Sequence, residues 1–134
     1  MAQSQNSTVD LTIRATSFAG LGTYGNVLVG NAAFEFYNER NPEDFIQIPW
    51  DEVEHISAEV IGRKIVRFAI FVKGGNHFSF STRDNKATLR AVRAYVPEDH
   101  MYRSPSFLQV VKAGLLSIPR SIAGLFGRRG NKDA

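Results

Sequence analysis

The chain has 134 residues, of which 43% are apolar, and this size and composition are typical of one globular domain with an appendage. It contains no cysteine, which excludes disulfides, thiolate metal sites and cysteine nucleophiles. Residues 1–99 carry 10 basic and 12 acidic side chains, whereas residues 100–134 carry six basic and one acidic. The positive net charge therefore arises from the C-terminal stretch, where anionic partners should be sought first.

The N-terminal residues are polar and lack the basic and apolar blocks of a signal peptide. No apolar run approaches the roughly 18 residues that span a bilayer. We therefore expect a cytoplasmic protein, either soluble or peripheral at the inner face of the membrane.

Seven segments with strand patterns come first along the chain. Period-two alternation, as in Val9–Phe18, indicates strands with one buried face, and glycine or polar turns separate the segments. The predicted strands are Val9–Phe18, Asn26–Gly30, Ala33–Tyr37, Phe45–Ile48, Glu54–Ile61, Ile65–Val72 and His77–Ser81.

A helical period follows the last strand. Leu89, Val92 and Val96 recur at helical spacing between Asp84 and Pro97. Thr82 or Asp84 is suited to cap the start of this helix, and Pro97 marks its end.

This order predicts a mostly β (α+β) domain over residues 1–99. Runs of strands closing on one late helix are typical of a curled antiparallel sheet or small barrel. The expected architecture is a pleckstrin-homology-like barrel of about seven antiparallel strands, capped by one helix.

Residues 100–134 are predicted to form a basic, amphipathic helical tail. Pro119 divides the pattern into two helices, Ser106–Ile118 and Pro119–Phe126, neither long enough to cross a membrane. An apolar stripe flanked by cations suits an interfacial helix, a partner groove or packing on the chain's own domain. The candidate partner or membrane surface comprises Phe107, Val111, Lys112, Leu115, Ile118, Arg120, Ile122, Leu125, Arg128 and Arg129.

Gly20, Gly22 and Gly25 match the dinucleotide-binding pattern G-x-G-x-x-G, but a strand pattern follows where that motif needs a helix. A glycine-rich hairpin turn is the preferred interpretation. No serine lies in a nucleophile-elbow setting.

The titratable residues give no catalytic or metal signature. The three histidines, His55, His77 and His100, lack metal-ligand spacing. The acidic group Asp51, Glu52 and Glu54 is better explained as a solvated loop or the start of a short helix than as a general acid or base. We therefore expect no catalytic residues, no metal and no cofactor.

Two further groups have both a structural and a functional interpretation. The aromatic residues are predicted to be core rather than a stacking surface for nucleic acid; they are Phe34, Phe36, Trp50, Phe68, Phe71, Phe78 and Phe80. A basic hairpin carries Arg63, Lys64, Arg67 and Lys73. It is either a solvated turn or, by resemblance to the basic hairpins of many pleckstrin-homology domains, a site for anionic headgroups.

Several segments also resemble a known family. They are Asn38-Glu-Arg-Asn-Pro, Asp44-Phe-Ile-Gln-Ile-Pro-Trp50-Asp-Glu-Val, Arg67-Phe-Ala-Ile, Arg90-Ala-Val-Arg-Ala-Tyr-Val-Pro97 and Met101-Tyr-Arg-Ser-Pro-Ser-Phe-Leu-Gln-Val-Val-Lys112. The chain to about Gly114 resembles a ManO-like family of Gram-positive bacteria, a domain of unknown function encoded beside mannose-class phosphotransferase-system permeases. The resemblance implies a pleckstrin-homology-like fold and an accessory role in sugar uptake, and it supplies no catalytic residues.

The leading hypothesis is a non-enzymatic accessory or regulatory protein of a mannose-class sugar phosphotransferase system. Its partners would be a permease component or an anionic membrane surface. One alternative is a lipid-binding or small-molecule-binding domain. A regulator that binds nucleic acid ranks lowest, because the sequence has no helix-turn-helix and only the tail is basic. The sequence sets no oligomeric state.

Overall fold

A single eight-stranded sheet carries one α-helix in the computed structural model, which describes residues 3–19 and 22–105. Within those residues the strands are β1 (Val9–Ser17), β2 (Thr23–Gly30), β3 (Ala33–Asn38), β4 (Phe45–Pro49), β5 (Val53–Ile61), β6 (Lys64–Val72), β7 (His77–Thr82) and β8 (Met101–Pro105). The helix α1 spans Asn85–Val92, and short 3-10 turns span Trp50–Glu52 and Glu98–His100.

The seven predicted strands are confirmed, each within three residues of its predicted ends. Asp51 and Glu52 lie in a 3-10 turn, as the sequence interpretation preferred, whereas Glu54 lies on β5. The predicted helical tail, residues 106–134, lies outside the described residues.

The sheet is open, so the expectation of a barrel is wrong. Its strand order is β4-β3-β2-β1-β7-β6-β5-β8, which leaves β4 and β8 as the two edges. A barrel made from seven strands would have to close β5 against β4. The eighth strand, which the sequence did not predict, lies beside β5 instead and occupies that edge.

The core lies on the face of the sheet where alternate residues of the strands meet the helix. Phe34, Phe68 and Phe80 are each at most 1% exposed, and their ring centroids lie 4.9–6.1 Å apart. Aromatic packing at this spacing adds to the hydrophobic effect of the buried area. Leu89 and Val92 from α1 and Val96 just after it belong to the same core.

The helix begins and ends where the sequence signals lie. Asp84 is the N-cap, and its Oδ1 accepts a hydrogen bond of 3.0 Å from the amide of Ala87. The α-helix ends at Val92, four residues before the predicted end, and hydrogen-bonded turns continue to Val96 ahead of Pro97.

The predicted hairpin interpretation of the glycine motif is confirmed. The segment joins β1 to β2, and no helix follows Gly25, which lies within β2 opposite Asn38. A Cβ at Gly25 would lie 2.0 Å from the carbonyl oxygen of Tyr37, so this position requires glycine for close approach of two strands. Gly25 therefore has a structural role, because it lets β2 and β3 lie close together.

The N-terminal segment covers a buried carboxylate on β3. Glu35 is fully buried, and it accepts hydrogen bonds from the Ser4 hydroxyl (2.6 Å) and the Gln5 amide (2.7 Å). Asn6 adds a bond of 3.2 Å to Glu35, and its Oδ1 also accepts from the amides of Ala32 and Ala33. Ser4, Gln5 and Asn6 are therefore part of the folded structure.

Candidate functional site

An aromatic row crosses the outer face of the sheet on four adjacent strands. Its members are Tyr102 on β8, His55 on β5, Phe71 on β6 and His77 on β7. The His55 and Phe71 rings stack with centroids 4.4 Å apart, and Phe71 stacks on His77 at 5.0 Å. Tyr102 meets the edge of His55 at 5.5 Å and is 54% exposed. We call these four residues the outer aromatic row.

The strand register puts the members of the outer aromatic row on one face of the sheet. His55 pairs with Phe71, and Phe71 pairs with His77, so the three side chains project from the same face. Their neighbours in sequence, Ile56 and Ile70, point the other way and are buried. This corrects the prediction for Phe71, which was expected in the core.

A second row of small side chains runs beside the aromatic one. Ser57, Ala69 and Ser79 are paired across β5, β6 and β7, and Ser104 on β8 lies 3.1 Å from Ser57, oxygen to oxygen. Because these side chains are short, they leave a shallow groove of about 100 Å³ along the sheet.

An ion pair borders the groove on its other side. Arg67 donates from Nε to Glu59 at 2.7 Å, and a second nitrogen lies 3.4 Å from the other carboxylate oxygen. The Arg67 guanidinium also lies 5.5 Å from the centroid of Phe18, which is 41% exposed. The groove is thus framed by aromatic rings, hydroxyls and one fixed charge pair.

This arrangement suits binding of an extended polypeptide segment. Aromatic rings supply a large contact area at a low cost in conformational entropy, because their side chains have few rotatable bonds. Hydroxyl groups supply adaptable hydrogen bonds. This surface could not be predicted from the sequence, because it combines residues from four strands. The only local signal was the alternation that puts His55 and Phe71 opposite to Ile56 and Ile70.

The predicted site residues, from Phe107 to Arg129, lie outside the described residues. Among the histidines, His55 and His77 come together through Phe71, whereas His100 lies in the second 3-10 turn. The described residues contain no group of three or more histidine or acidic side chains placed to hold a metal ion. Within the same part of the chain, no helix is long and apolar enough to cross a membrane.

The basic hairpin of the sequence analysis does not form one patch. Arg67 is paired with Glu59 on the outer face, and Lys73 follows β6 at the end opposite to the β5–β6 turn. Arg63 and Lys64 lie at that turn, next to the residues that begin α1.

Two tyrosines have a raised pKa, and neither belongs to the outer aromatic row. A hydrogen bond from the Tyr95 hydroxyl to Asp10, together with lesser desolvation, raises the pKa of Tyr95. Burial raises the pKa of Tyr37, opposed by a hydrogen bond of 2.9 Å that Gln47 donates to its hydroxyl. Both phenols therefore join strands or loops rather than forming an acid–base pair with one another.

Comparisons with known proteins identify the family and the fold. No curated protein shows significant sequence similarity to the chain. The crystal structure of the C-terminal domain of an unknown protein from Leishmania infantum is similar, with a TM-score of 0.59 and 10% sequence identity. The match covers 66% of this chain and 83% of that chain, and at this identity it concerns the fold alone. A family model matches residues 1–115, a range that contains the whole sheet, and the chain therefore belongs to the family described as DUF956, a domain of unknown function.

Proposed function

We propose that this protein is a non-enzymatic accessory or regulatory protein of a mannose-class sugar phosphotransferase system that acts by binding a protein partner. The outer aromatic row is the observation that supports a binding role. Rings exposed beside a groove are typical of the contact residues that contribute most to protein interfaces. The link to sugar transport is supported by the resemblance of the chain to the ManO-like family.

The order of elements also supports an open variant of the pleckstrin-homology-like fold. Among the described residues, seven antiparallel strands precede the one α-helix, as in that fold, and β8 is an addition at the edge. Folds of this kind serve many functions, so the site rather than the fold carries the proposal.

The proposed partner is a cytoplasmic part of the permease, which would lay an extended segment along the groove. Its apolar side chains would pack on His55 and Phe71, and its polar groups would meet the hydroxyls of Ser57 and Ser79. Such a partner would place the protein in the cytoplasm, at the inner face of the membrane.

Affinity capture from membranes tests this partner. Tyr102 is 54% exposed, so Tyr102→Ser removes a ring from the row at little expense to folding, and Tyr24→Ser is the matched control at a 64% exposed site on β2. We expect Tyr102→Ser to reduce recovery of the permease component by about tenfold or more, the loss typical of an interface hot spot. Equal recovery with the two variants, or recovery of no permease component with the wild type, would refute the proposal.

The basic tail is proposed as a second contact, with an anionic membrane surface or with the permease itself. Each cation near anionic lipid contributes about 1 kcal/mol. Truncation at Asp99 would remove β8 from the sheet, so a full-length variant with Arg120, Arg128 and Arg129 changed to Gln is the better test. If it binds phosphatidylglycerol vesicles as well as the wild type does, these cations make no membrane contact.

A further inference from the structure

A cleft of about 650 Å³ opens between the β5–β6 turn and the start of α1. Four cations line it: Arg63 and Lys64 from the turn, and Arg83 and Lys86 from the start of the helix. All four side chains are exposed. We call this feature the basic cleft.

The cations of the basic cleft lack protein counter-ions. Among the residues that the structure describes, no carboxylate lies within 4.0 Å of any of them. Arg14, Arg67 and Arg93, in contrast, each pair with a glutamate. The cleft therefore concentrates unneutralised positive charge on a domain whose residues 1–99 are acidic overall.

One carboxylate also lines the cleft, but it is already engaged. Asp84 caps α1 through the hydrogen bond from Ala87. Four positive charges thus share the cleft with a single negative one, and an added anion would relieve their mutual repulsion.

A hydrogen-bonded floor holds the two sides of the cleft together. Asn85 is 9% exposed, and its Nδ2 donates to the carbonyl of Ile65 (2.9 Å). Its Oδ1 accepts from the amide of Thr82 at 2.7 Å. Behind it, the hydroxyls of Thr82 and Thr88 lie 2.7 Å apart. The backbone that carries the cations is therefore fixed before any ligand binds, which lowers the entropy lost on binding.

We propose that the basic cleft binds a phosphate ester. Arginine and lysine are the side chains that recognise phosphate, arginine through paired hydrogen bonds. The volume is in the range of about 300–1,000 Å³ usual for small-molecule sites, so it accommodates an organic group beside the phosphate. Ile61, which is 37% exposed, and Val66 line the cleft and offer that group an apolar surface. The site is separate from the outer aromatic row and does not depend on the proposed function.

Binding is tested on the full chain with two sources of phosphate ester. The soluble probe is glucose 6-phosphate, and glucose is the uncharged control. Binding of each is measured from the chemical shifts of the backbone amides. The lipid probe is vesicles of phosphatidylglycerol in phosphatidylcholine, followed by co-sedimentation. The test variant is Lys64→Gln with Arg83→Gln. The matched control is Lys73→Gln, which removes an exposed cation at the opposite end of β6.

We expect glucose 6-phosphate, and not glucose, to shift the amides of residues 63–64 and 83–86, with binding that weakens as salt is added. The double variant should weaken binding by about tenfold or more, since hydrogen bonds to charged groups are the stronger ones, and Lys73→Gln should not. Binding of the vesicles alone, with the same dependence on Lys64 and Arg83, would support the cleft with a lipid headgroup as its ligand. Binding of neither probe, or binding that the double variant leaves unchanged, would overturn the proposal.

Discussion

The side-chain amide of Asn85 donates a hydrogen bond of 2.9 Å to the carbonyl oxygen of Ile65, joining the first turn of α1 to β6. The two residues are 20 positions apart in sequence. This contact fixes the distance between the start of the helix and the β5–β6 hairpin. It therefore also fixes the spacing of the backbone positions that carry the cations on the two sides of the basic cleft.

Replacing Asn85 by alanine should destabilise the protein by about 1–3 kcal/mol, because it leaves buried donors and acceptors without partners. Denaturant unfolding followed by circular dichroism measures the change. Asn76→Ala, at an exposed turn position, is the control and should stay within about 0.5 kcal/mol of the wild type. Equal stability of the two variants would show that the Asn85 contacts are not what holds the helix to the sheet.

Glu35→Gln should also lower the free energy of unfolding by about 1–3 kcal/mol. Both carboxylate oxygens accept hydrogen bonds, one from Ser4 and Asn6 and the other from Gln5. A glutamine has only one acceptor oxygen, so its NH₂ group must face a donor. Glu52→Gln, at an exposed position in the 3-10 turn, makes the same chemical change and should have little effect. The prediction fails if both variants unfold at the same denaturant concentration.

Gly25→Ala should destabilise the domain by about 3 kcal/mol, at the upper end of what overpacking usually costs. The new Cβ would lie 2.0 Å from a backbone oxygen of β3, which cannot move away as a flexible side chain would. Gly62→Asn is the control, because that turn position has open space and a φ of +62° that asparagine tolerates. Thermal unfolding of the two variants separates these effects, and a Gly25→Ala midpoint equal to that of the wild type would contradict the close approach.

Tyr95 should make stability depend on pH at alkaline values. Its pKa is raised by the hydrogen bond to Asp10, so the folded protein keeps the phenol proton to a higher pH than the unfolded chain does. The stabilisation is complete below the unfolded pKa of about 10 and is lost as pH rises through the higher folded value.

Tyr95→Phe tests this dependence. The difference in unfolding free energy between the wild type and this variant should shrink as pH rises above about 10. Denaturant unfolding at a series of pH values measures it, with the exposed Tyr24→Phe as the control. A difference that stays constant over this range would rule out the contribution of the Tyr95–Asp10 hydrogen bond.

The strands and the helix could be predicted from local sequence, because their apolar residues recur at strand or helix spacing. Val27 and Val29, or Phe34 and Phe36, are buried in pairs because residues two apart share one face of a strand. The cap at Asp84 and the stop at Pro97 likewise depend only on neighbouring residues.

The features that the sequence could not predict, namely β8, the basic cleft and the burial of Glu35, depend on contacts between segments that are distant in the sequence. Met101–Pro105 is short and contains proline, so it has no strand signal of its own and forms a strand by lying beside β5. The basic cleft depends on the β5–β6 turn meeting the start of α1, 20 residues later. Glu35 alternates with the core residues Phe34 and Phe36, and its burial depends on Ser4 and Gln5, which lie about 30 positions earlier in the sequence.

The cover over Glu35 also sets an order for synthesis of the chain. Gln5 leaves the ribosome 30 residues before the carboxylate that it will cap. A carboxylate is costly to bury without hydrogen-bond partners, so the β2–β3 hairpin cannot complete its packing until Ser4, Gln5 and Asn6 have folded back onto it. Residues 4–6 are therefore among the last parts of this half of the sheet to reach their final place.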